Sequence, residues 1–330
     1  MNAACGHGIA VVIPSYRVTR HILEVLSAIG PQVWRIYVVD DACPDGSGAL
    51  VEKQCHDPRV RVIRNQTNLG VGGAVMTGYA AAVADSAEVI VKLDGDGQMD
   101  PALLDVLVAP ILAGEADYTK GNRFFDLAQI GRMPPVRIVG NAILSFMSKL
   151  SCGYWDMFDP TNGYTAIHAD VARKLPFAKI STRYFFETDM LFRLNTFRAV
   201  VVDVPMDAKY GEEVSGLRIS SILGEFLFKH MRNLSKRIAY NYLLRDMSIA
   251  TLELFVGMFL LLFGAAFGAW HWHLSQSSGL ASPLGTVMIP TLAILLGIQL
   301  VLAFLAYDIA SVPRRPIHPR LRPLSGTHHG

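Results

Sequence analysis

The fold of this chain is decided by the stretch Glu88-Val-Ile-Val-Lys-Leu-Asp94-Gly-Asp96-Gly-Gln98-Met-Asp100-Pro101. Its apolar run predicts a buried strand, and Pro101 stands where the first turn of a helix tolerates a missing backbone N–H. Between the two, Asp94 and Asp96 place hard oxygen ligands next to each other at the end of the strand. Such a pair suits Mg²⁺ or Mn²⁺ that bridges nucleotide phosphates. A polar loop without any ligand is the alternative interpretation.

The residues before this stretch repeat the order of apolar strand, polar turn and helix. Strands are predicted at 9–13, 34–39 and 60–63, and helices at 19–29 and from 74 to about 84. Since strand and helix alternate four times, the sequence predicts an open, mostly parallel α/β sheet. Ligands of such sheets lie beyond the carboxyl ends of the strands.

Candidate ligand-binding residues follow two of these strands. Pro14 and Tyr16 end the first strand, and Asp40 and Asp41 end the second. One acidic pair is suited to the donor groups of a nucleoside, and the other to a metal-bound diphosphate. The glycine-rich segment 70–73 opens a helix, but it lacks the spacings of known phosphate-binding loops. Close packing of that helix on the sheet is therefore favoured over a phosphate cradle.

Composition limits the possible functions. The 330 residues predict roughly two domains, and 30 Lys and Arg against 28 Asp and Glu give no sign of nucleic-acid binding. The four cysteines lack metal-type spacing, and no secretory signal precedes the first strand. The apolar excess collects after about residue 249.

Residues 217–247 combine apolar residues at helical spacing with a basic face. An amphipathic helix or helix pair of this kind suits an anionic membrane surface. A helix packed on the sheet domain is the alternative, and the membrane surface is favoured because of the segments that follow. The basic residues are Lys229, His230, Arg232, Lys236, Arg237 and Arg245.

Two apolar segments, 249–270 and 286–307, are each near the ~20 residues that a helix needs to cross a bilayer. Lys and Arg flank the outer ends of the pair, which predicts that both ends are cytoplasmic. We therefore expect an integral protein of the inner (cytoplasmic) membrane, with the sheet domain and both termini in the cytoplasm. The predicted division is a sheet domain at 1–212, amphipathic juxtamembrane helices at 213–248, a two-helix transmembrane hairpin at 249–310 and a basic tail at 311–330.

Four motifs, in their order and spacing, resemble family 2 glycosyltransferases, and among these most closely the dolichyl- or polyprenyl-phosphate sugar synthases. They are Val12-Ile-Pro14-Ser-Tyr16, Val38-Val-Asp40-Asp41, Asn68-Leu-Gly70-Val-Gly72-Gly73-Ala74 and Asp94-Gly95-Asp96-Gly-Gln98. The resemblance covers residues 9–245. It implies a GT-A (Rossmann-like) fold, a nucleotide-sugar donor, Mg²⁺ or Mn²⁺ as cofactor, and inversion at the anomeric carbon. Members are often oligomeric, so the resemblance also implies a homo-oligomer.

The resemblance assigns roles to particular residues. Asp94 and Asp96 would hold the metal, Gln98 would orient the metal shell or the donor, and Arg123 and Arg137 would contact phosphate, for which Arg is suited. Residues 159–164 are similar to the D-x-T-x-G turn of the family, and Glu187 and Asp189 fall where the family carries an acidic residue. The other implied donor-site residues are Pro14, Tyr16, Asp40, Asp41 and Gly95.

The chain departs from the family pattern at two places. Arg17 and Val18 follow Tyr16 where the family reads P-x-Y-N-E, and residues 210–216 are acidic where the family has a basic G-x-S-K segment. Donor or acceptor specificity is therefore expected to differ from that of the mannosyl and glucosyl members.

Three functions are weighed. The first is an inverting transferase that moves a sugar from a UDP- or GDP-sugar to undecaprenyl or dolichyl phosphate, whose ionised oxygen needs no strong base. The second adds the sugar to a hydroxyl of a lipid-linked saccharide or glycolipid in cell-surface polysaccharide synthesis, and it needs Asp189 or Glu187 as a base. The third is a degenerate, non-enzymatic scaffold that binds nucleotide sugars.

Overall fold

A computed structural model describes residues 8–124, 135–160, 162–206 and 219–321, with backbone only at 135–137 and 219–223. Contacts divide the chain into two compact units. The first unit contains residues 1–233 and 313–330, and the second contains residues 234–312. The division falls inside the predicted amphipathic segment, and residues 313–321 of the predicted tail belong to the first unit.

The first unit is built on a seven-stranded sheet of order β3-β2-β1-β4-β6-β5-β7. Only β6 runs antiparallel to its neighbours among the described strands, so the prediction of a mostly parallel α/β sheet is confirmed. The strands are β1 Ile9–Ser15, β2 Val33–Asp40, β3 Val60–Arg64, β4 Val89–Lys92, β5 Tyr118–Asn122, β6 Thr165–His168 and β7 Val201–Pro205.

The described α-helices follow the strands in alternation as far as β5. They are α1 Ile22–Ala28, α2 Ser47–Gln54, α3 Val71–Ala84, α4 Leu104–Leu112, α5 Pro135–Cys152, α6 Ala169–Ala172, α7 Phe186–Thr196, α8 Ile219–Ile238, α9 Ile249–Ser278, α10 Leu284–Ala310 and α11 His318–Leu321. Short 3-10 turns occur at Pro101–Leu103 and Phe177–Lys179, and a π-helical turn at Ala239–Arg245.

The two strands in the middle of the sheet are buried. β1 and β4 are almost wholly buried and pair in parallel from Ile9 with Val89 to Val12 with Lys92. Parallel strands that are covered on both faces are expected to be continuous apolar runs, as these are. β1 and β2 extend past the predicted ends because their pairing continues to Ser15 and Asp40.

The small residues of α3 let this helix lie directly on the sheet. A Cβ at Gly78 would come within 2.2 Å of Val12 Cγ1, and one at Gly72 would come within 2.6 Å of the Ser181 carbonyl oxygen. Side chains at these positions would push the helix off its neighbours. The packing interpretation of the glycine-rich segment therefore agrees with the contacts.

The second unit contains the two apolar helices α9 and α10, of 30 and 27 residues. Gly257 and Gly297 let them approach closely, because a Cβ at Gly257 would lie 3.1 Å from the Gly297 carbonyl oxygen. Only 22% of the most apolar window of each helix is buried, unlike the core helix of a soluble protein. Both helices are long and apolar enough to cross a bilayer and fit a membrane anchor.

Two of the six residues that were predicted to form the basic face are buried, so the prediction is wrong for them. Arg237 is 1% exposed and forms an ion pair with Asp308, with Nη1–Oδ1 and Nη2–Oδ2 distances of 2.6 and 2.9 Å. Tyr242 Oη donates to the same carboxylate. His230 is also buried. Spacing predicts a helix but cannot tell which basic residues its neighbours cover. Lys236 and Arg245 are exposed, as predicted.

Candidate active site

A cavity of about 460 Å³ opens beyond the carboxyl ends of β1, β2 and β4. This is the position where open α/β sheets bind their ligands. Seven of the predicted site residues line it, namely Pro14, Tyr16, Asp41, Asp94, Gly95, Asp96 and Glu187. Three charged or aromatic residues that were not predicted also line it, namely Lys92, Arg183 and Tyr184.

The acidic turn after β4 is shaped by its own backbone. Gly95 is buried, and a Cβ there would lie 3.0 Å from Ile22 Cδ1, so the turn packs tightly on the first helix. Gly97 has φ +79°, a left-handed conformation that favours glycine. The Gln98 N–H donates to Asp96 Oδ1 at 2.9 Å. Gln98 therefore supports the turn through its backbone, while its exposed side chain lies outside the cavity lining.

The two carboxylates of this turn fit a divalent cation that completes its coordination with oxygens of a bound ligand. In the described part of the chain, no group of three or more His, Cys, Asp or Glu side chains could hold a metal by itself. Mg²⁺ is commonly bound by one or two carboxylates together with substrate phosphates and water. Asp94 and Asp96, both half-buried in the cavity wall, match that pattern.

Lys92 is the main residue that sequence reasoning missed. Its side chain is 2% exposed, and its Nζ lies 2.8 Å from Asp94 Oδ1. The signal was present in the sequence, because a lysine inside an apolar strand, two residues before Asp94, projects on the same side of the strand as that aspartate. Burying an ammonium is costly, and the Asp94 carboxylate offsets that cost for Lys92.

The two aspartates that end β2 have different environments. Asp41 lines the cavity and holds the loop before α3, accepting hydrogen bonds from Asn65 Nδ2, Leu69 N and Gly70 N at 2.7–2.9 Å. Asp40 is 7% exposed and accepts from the backbone N–H groups of Cys43 and Gly48. Asp41 lines the cavity and Asp40 does not, so the structure does not support the predicted ligand role of Asp40.

The two carboxylates at the start of α7 also have different environments. Glu187 faces the cavity, and burial raises the pKa of its carboxyl to about 7, against the lowering effect of Lys92 and Lys120. Asp189 is fully buried and does not line the cavity. It accepts from Ser181 N at 2.8 Å and from Asn233 Nδ2 at 3.1 Å, so it ties α7 to its neighbours and is not placed to act as a base.

Arg123, one of the two predicted phosphate-binding arginines, does not join the cavity lining. The Arg123 guanidinium makes a two-point contact with the buried Asp159 carboxylate, at 2.8 and 3.1 Å. The Arg137 side chain lies outside the described residues, as do Thr161 of the predicted D-x-T-x-G turn and the acidic segment 210–216. Arg183, which lines the cavity, is the cation that the structure offers beside Lys92.

The sequence profile of glycosyl transferase family 2 matches residues 10–175, about half of the chain. The chain belongs to this family. The Asp94-Gly-Asp96 turn and the cavity around it lie inside the matched region, and the chain is accordingly a glycosyltransferase.

Several relatives of this glycosyltransferase have named activities. It is 29% identical to the polyprenol monophosphomannose synthase of Mycolicibacterium smegmatis over 66% of this chain and 84% of that protein. It is 28% identical to the undecaprenyl-phosphate mannosyltransferase of Micrococcus luteus, over 66% and 90%. It is 26% identical to the UDP-N-acetylglucosamine–dolichyl-phosphate N-acetylglucosaminyltransferase of Methanococcus voltae, over 62% and 86%.

Solved structures confirm the GT-A fold of this glycosyltransferase. The mannosyl-3-phosphoglycerate synthase of Rubrobacter xylanophilus superimposes with a TM-score of 0.53 at 15% identity, over 74% of this chain and 77% of that chain. The glucosyl-3-phosphoglycerate synthase of Mycobacterium tuberculosis, in complex with Mn²⁺, UDP and phosphoglyceric acid, gives 0.52 at 19% identity, over 70% and 78%. At these identities the likeness concerns the fold alone.

Proposed function

We propose that this glycosyltransferase moves a sugar from a nucleotide diphosphate to a polyprenyl phosphate, with inversion, at the cytoplasmic face of a membrane. The observation that carries the proposal is a cavity that presents Asp94 and Asp96 at the strand ends of a chain with two apolar helices. The named relatives support the lipid phosphate as acceptor.

Asp94 and Asp96 would hold Mg²⁺ or Mn²⁺ at the donor diphosphate. When bound, the cation would stabilise the charge that develops on the leaving diphosphate. Tyr16 and Asp41, which line the same cavity, would contact the nucleoside. Arg183 at the rim is suited to phosphate oxygens of donor or acceptor. These contacts suit UDP-sugars and GDP-sugars alike.

The surface of the first unit supports a membrane-bound acceptor. Val139, Ile143 and Phe146 on α5 are 57–58% exposed, and Leu227 and Phe228 on α8 are 50% and 68% exposed. The two helices are joined by a hydrogen bond of 2.8 Å between Ser151 and His230, and each has exposed apolar side chains. Amphipathic helices of this type lie in the membrane interface. Both ends of the α9–α10 hairpin would then be cytoplasmic.

A hydroxyl acceptor is the second candidate, and the position of Glu187 favours it. A lipid phosphate is already ionised near neutral pH and needs no strong base, whereas a sugar hydroxyl does. Glu187 faces the cavity with a pKa of about 7, which is suited to proton abstraction near neutral pH. The lipid phosphate remains the first candidate because of the relatives and the apolar helices.

The proposal is tested with purified, detergent-solubilised protein, Mn²⁺ or Mg²⁺, undecaprenyl phosphate and a panel of UDP-, GDP- and dTDP-sugars. Mass spectrometry of the lipid fraction should show a new polyprenyl-phosphate monosaccharide with one donor. If nucleotide were released only after addition of a saccharide-bearing lipid, the acceptor would be a hydroxyl. Nucleotide-sugar binding without turnover on any acceptor would instead support the non-enzymatic scaffold.

A further inference from the structure

The wall of the cavity contains a buried ammonium group to which the mechanism above gives no role. Lys92 ends β4, and its Nζ lies 2.8 Å from Asp94 Oδ1 and 5.6 Å from the centre of the Phe186 ring. Removing an ammonium from water costs several kcal/mol unless an anion compensates it. The Asp94 carboxylate, which is also a proposed metal ligand, provides that compensation.

The space for this ammonium comes from Gly163, in the loop before β6. A Cβ at Gly163 would lie 2.3 Å from Lys92 Nζ and 3.1 Å from Asp94 Oδ2. Any larger residue would have to displace the ammonium or the carboxylate. The ion pair is therefore enclosed by packing, unlike a mobile contact at the surface, and β4 and this loop together set its geometry.

The ion pair of Lys92 and Asp94 reduces the negative charge that the cavity presents to a divalent cation. Lys92 cancels one of the two negative charges that Asp94 and Asp96 contribute, and it engages one oxygen of the first carboxylate. Like charges a few ångströms apart repel strongly at the low effective dielectric of a partly buried site. A nucleoside diphosphate adds anionic oxygens, so its arrival reverses the balance in favour of the cation.

We propose that Lys92 is a positioning residue that makes metal binding depend on the nucleoside diphosphate. Its ammonium holds Asp94 in place before the cation arrives, and its charge weakens binding of the cation alone. The donor and the cation then enter together, and the enzyme without nucleotide stays largely metal-free. This inference rests on the metal site proposed above.

The test measures Mn²⁺ binding to the full-length protein in detergent by electron paramagnetic resonance of free Mn²⁺, with and without UDP or GDP. The wild-type protein should bind Mn²⁺ at least about tenfold more tightly with one of the diphosphates than without. Lys92→Met, which keeps the shape of the side chain and removes its charge, should bind Mn²⁺ alone at least about tenfold more tightly than the wild type. The increase in Mn²⁺ affinity on addition of the diphosphate should be smaller for Lys92→Met than for the wild type.

Lys120→Met is the matched control, because Lys120 is also buried but its Nζ donates to the Asn162 carbonyl oxygen. It should change Mn²⁺ affinity much less than Lys92→Met. Unchanged or weaker Mn²⁺ binding by Lys92→Met overturns the inference while leaving the metal site intact. If no protein binds Mn²⁺ even with a diphosphate, the metal site itself is wrong. If Lys92→Met does not fold, equal Mn²⁺ affinity of the wild type with and without diphosphate overturns the inference.

Discussion

Neighbouring residues of one type have different tasks in this site. Asp41 faces the cavity while Asp40 caps a turn, and Glu187 faces the cavity while Asp189 is buried in hydrogen bonds. The difference arises because successive residues of a strand or helix point in different directions. A residue's type and its position in a motif therefore do not assign its role until the backbone direction is known.

At the residue scale, Asp96→Ala should abolish metal-dependent turnover of the donor while leaving folding near normal. The loss of one of only two carboxylates in the acidic turn is expected to reduce kcat/KM by about a hundredfold or more. Stability should fall by only about 1 kcal/mol, since the Asp96 carboxylate is half-buried and the hydrogen bond that it accepts from Gln98 N lies in an exposed turn. Initial rates with varied Mn²⁺ and the unfolding midpoint measure the two effects.

Asp105→Ala provides the control for this prediction, because Asp105 is an exposed carboxylate on α4 outside the cavity lining. It should retain the wild-type rate. Full activity of Asp96→Ala at matched protein concentration would contradict the assignment of the metal site.

At the scale of elements, α8 is held on the first unit by buried polar side chains as well as by apolar contacts. His230 Nδ1 and Ser151 Oγ are 2.8 Å apart, and the Phe185 ring lies 4.9 Å from the His230 ring. Asn233, one turn later, donates to Asp189. These contacts explain why part of the predicted basic face is covered. They also leave the apolar residues Leu227 and Phe228 on the exposed side.

The buried His230 should make the first unit sensitive to acid. Burial lowers the pKa of its imidazole to about 4, so between pH 6.5 and 4 the unfolded chain binds a proton that the folded chain does not. The free energy of unfolding should therefore fall as the pH falls through this range, by up to about 3 kcal/mol. Unfolding midpoints in detergent at several pH values measure the slope.

His230→Asn should flatten this dependence, because an amide can still bond to Ser151 but does not titrate. His56→Asn, which replaces an exposed histidine, should behave like the wild type. Equal slopes in His230→Asn and the wild type between pH 6.5 and 5 would show that His230 is not the group responsible.

At the scale of the whole molecule, the chain returns to the first unit after α10, with residues 313–321. Asp117, fully buried just before β5, accepts hydrogen bonds from Ile317 N, His318 N and His318 Nδ1 at 2.8–3.0 Å. The His318 ring stacks on His168 at 4.3 Å. Burial acts to raise the pKa of Asp117, but these hydrogen bonds and one from Val200 hold it below its usual range. Residues 313–321 are therefore part of the sheet domain although 200 residues separate Asp117 from Ile317.

Ending the chain after residue 312 should destabilise the first unit by about 3 kcal/mol, because a buried carboxylate loses most of its partners. Ending it after residue 321 keeps those partners and should leave the unfolding midpoint near the wild-type value. Thermal unfolding of both proteins in detergent makes the comparison. Equal midpoints would show that residues 313–321 add nothing to the sheet domain.

The apolar helices predict that a chain ended after about residue 247 is more soluble and turns over lipid acceptor poorly. The contacts of Asp117 with Ile317 and His318 add a second expected effect of this truncation. Such a fragment lacks the apolar hairpin and residues 313–321 alike. We expect it to be less stable than the first unit of the full chain. Normal stability together with unchanged activity on lipid would contradict both the role of 313–321 and a role of the hairpin beyond anchoring.

The parallel sheet, the acidic turn at its edge, the family and the two apolar helices could all be predicted from the amino-acid sequence. These follow from local patterns, namely continuous apolar strands, a short motif and segments long enough to span a bilayer. The pairing of Arg123 with Asp159, of Asp117 with His318 and of Arg237 with Asp308 could be seen only in the folded structure. Burial and ion pairing join residues that are close in space, and helical or strand periodicity carries no information about which distant segment will cover a given side chain.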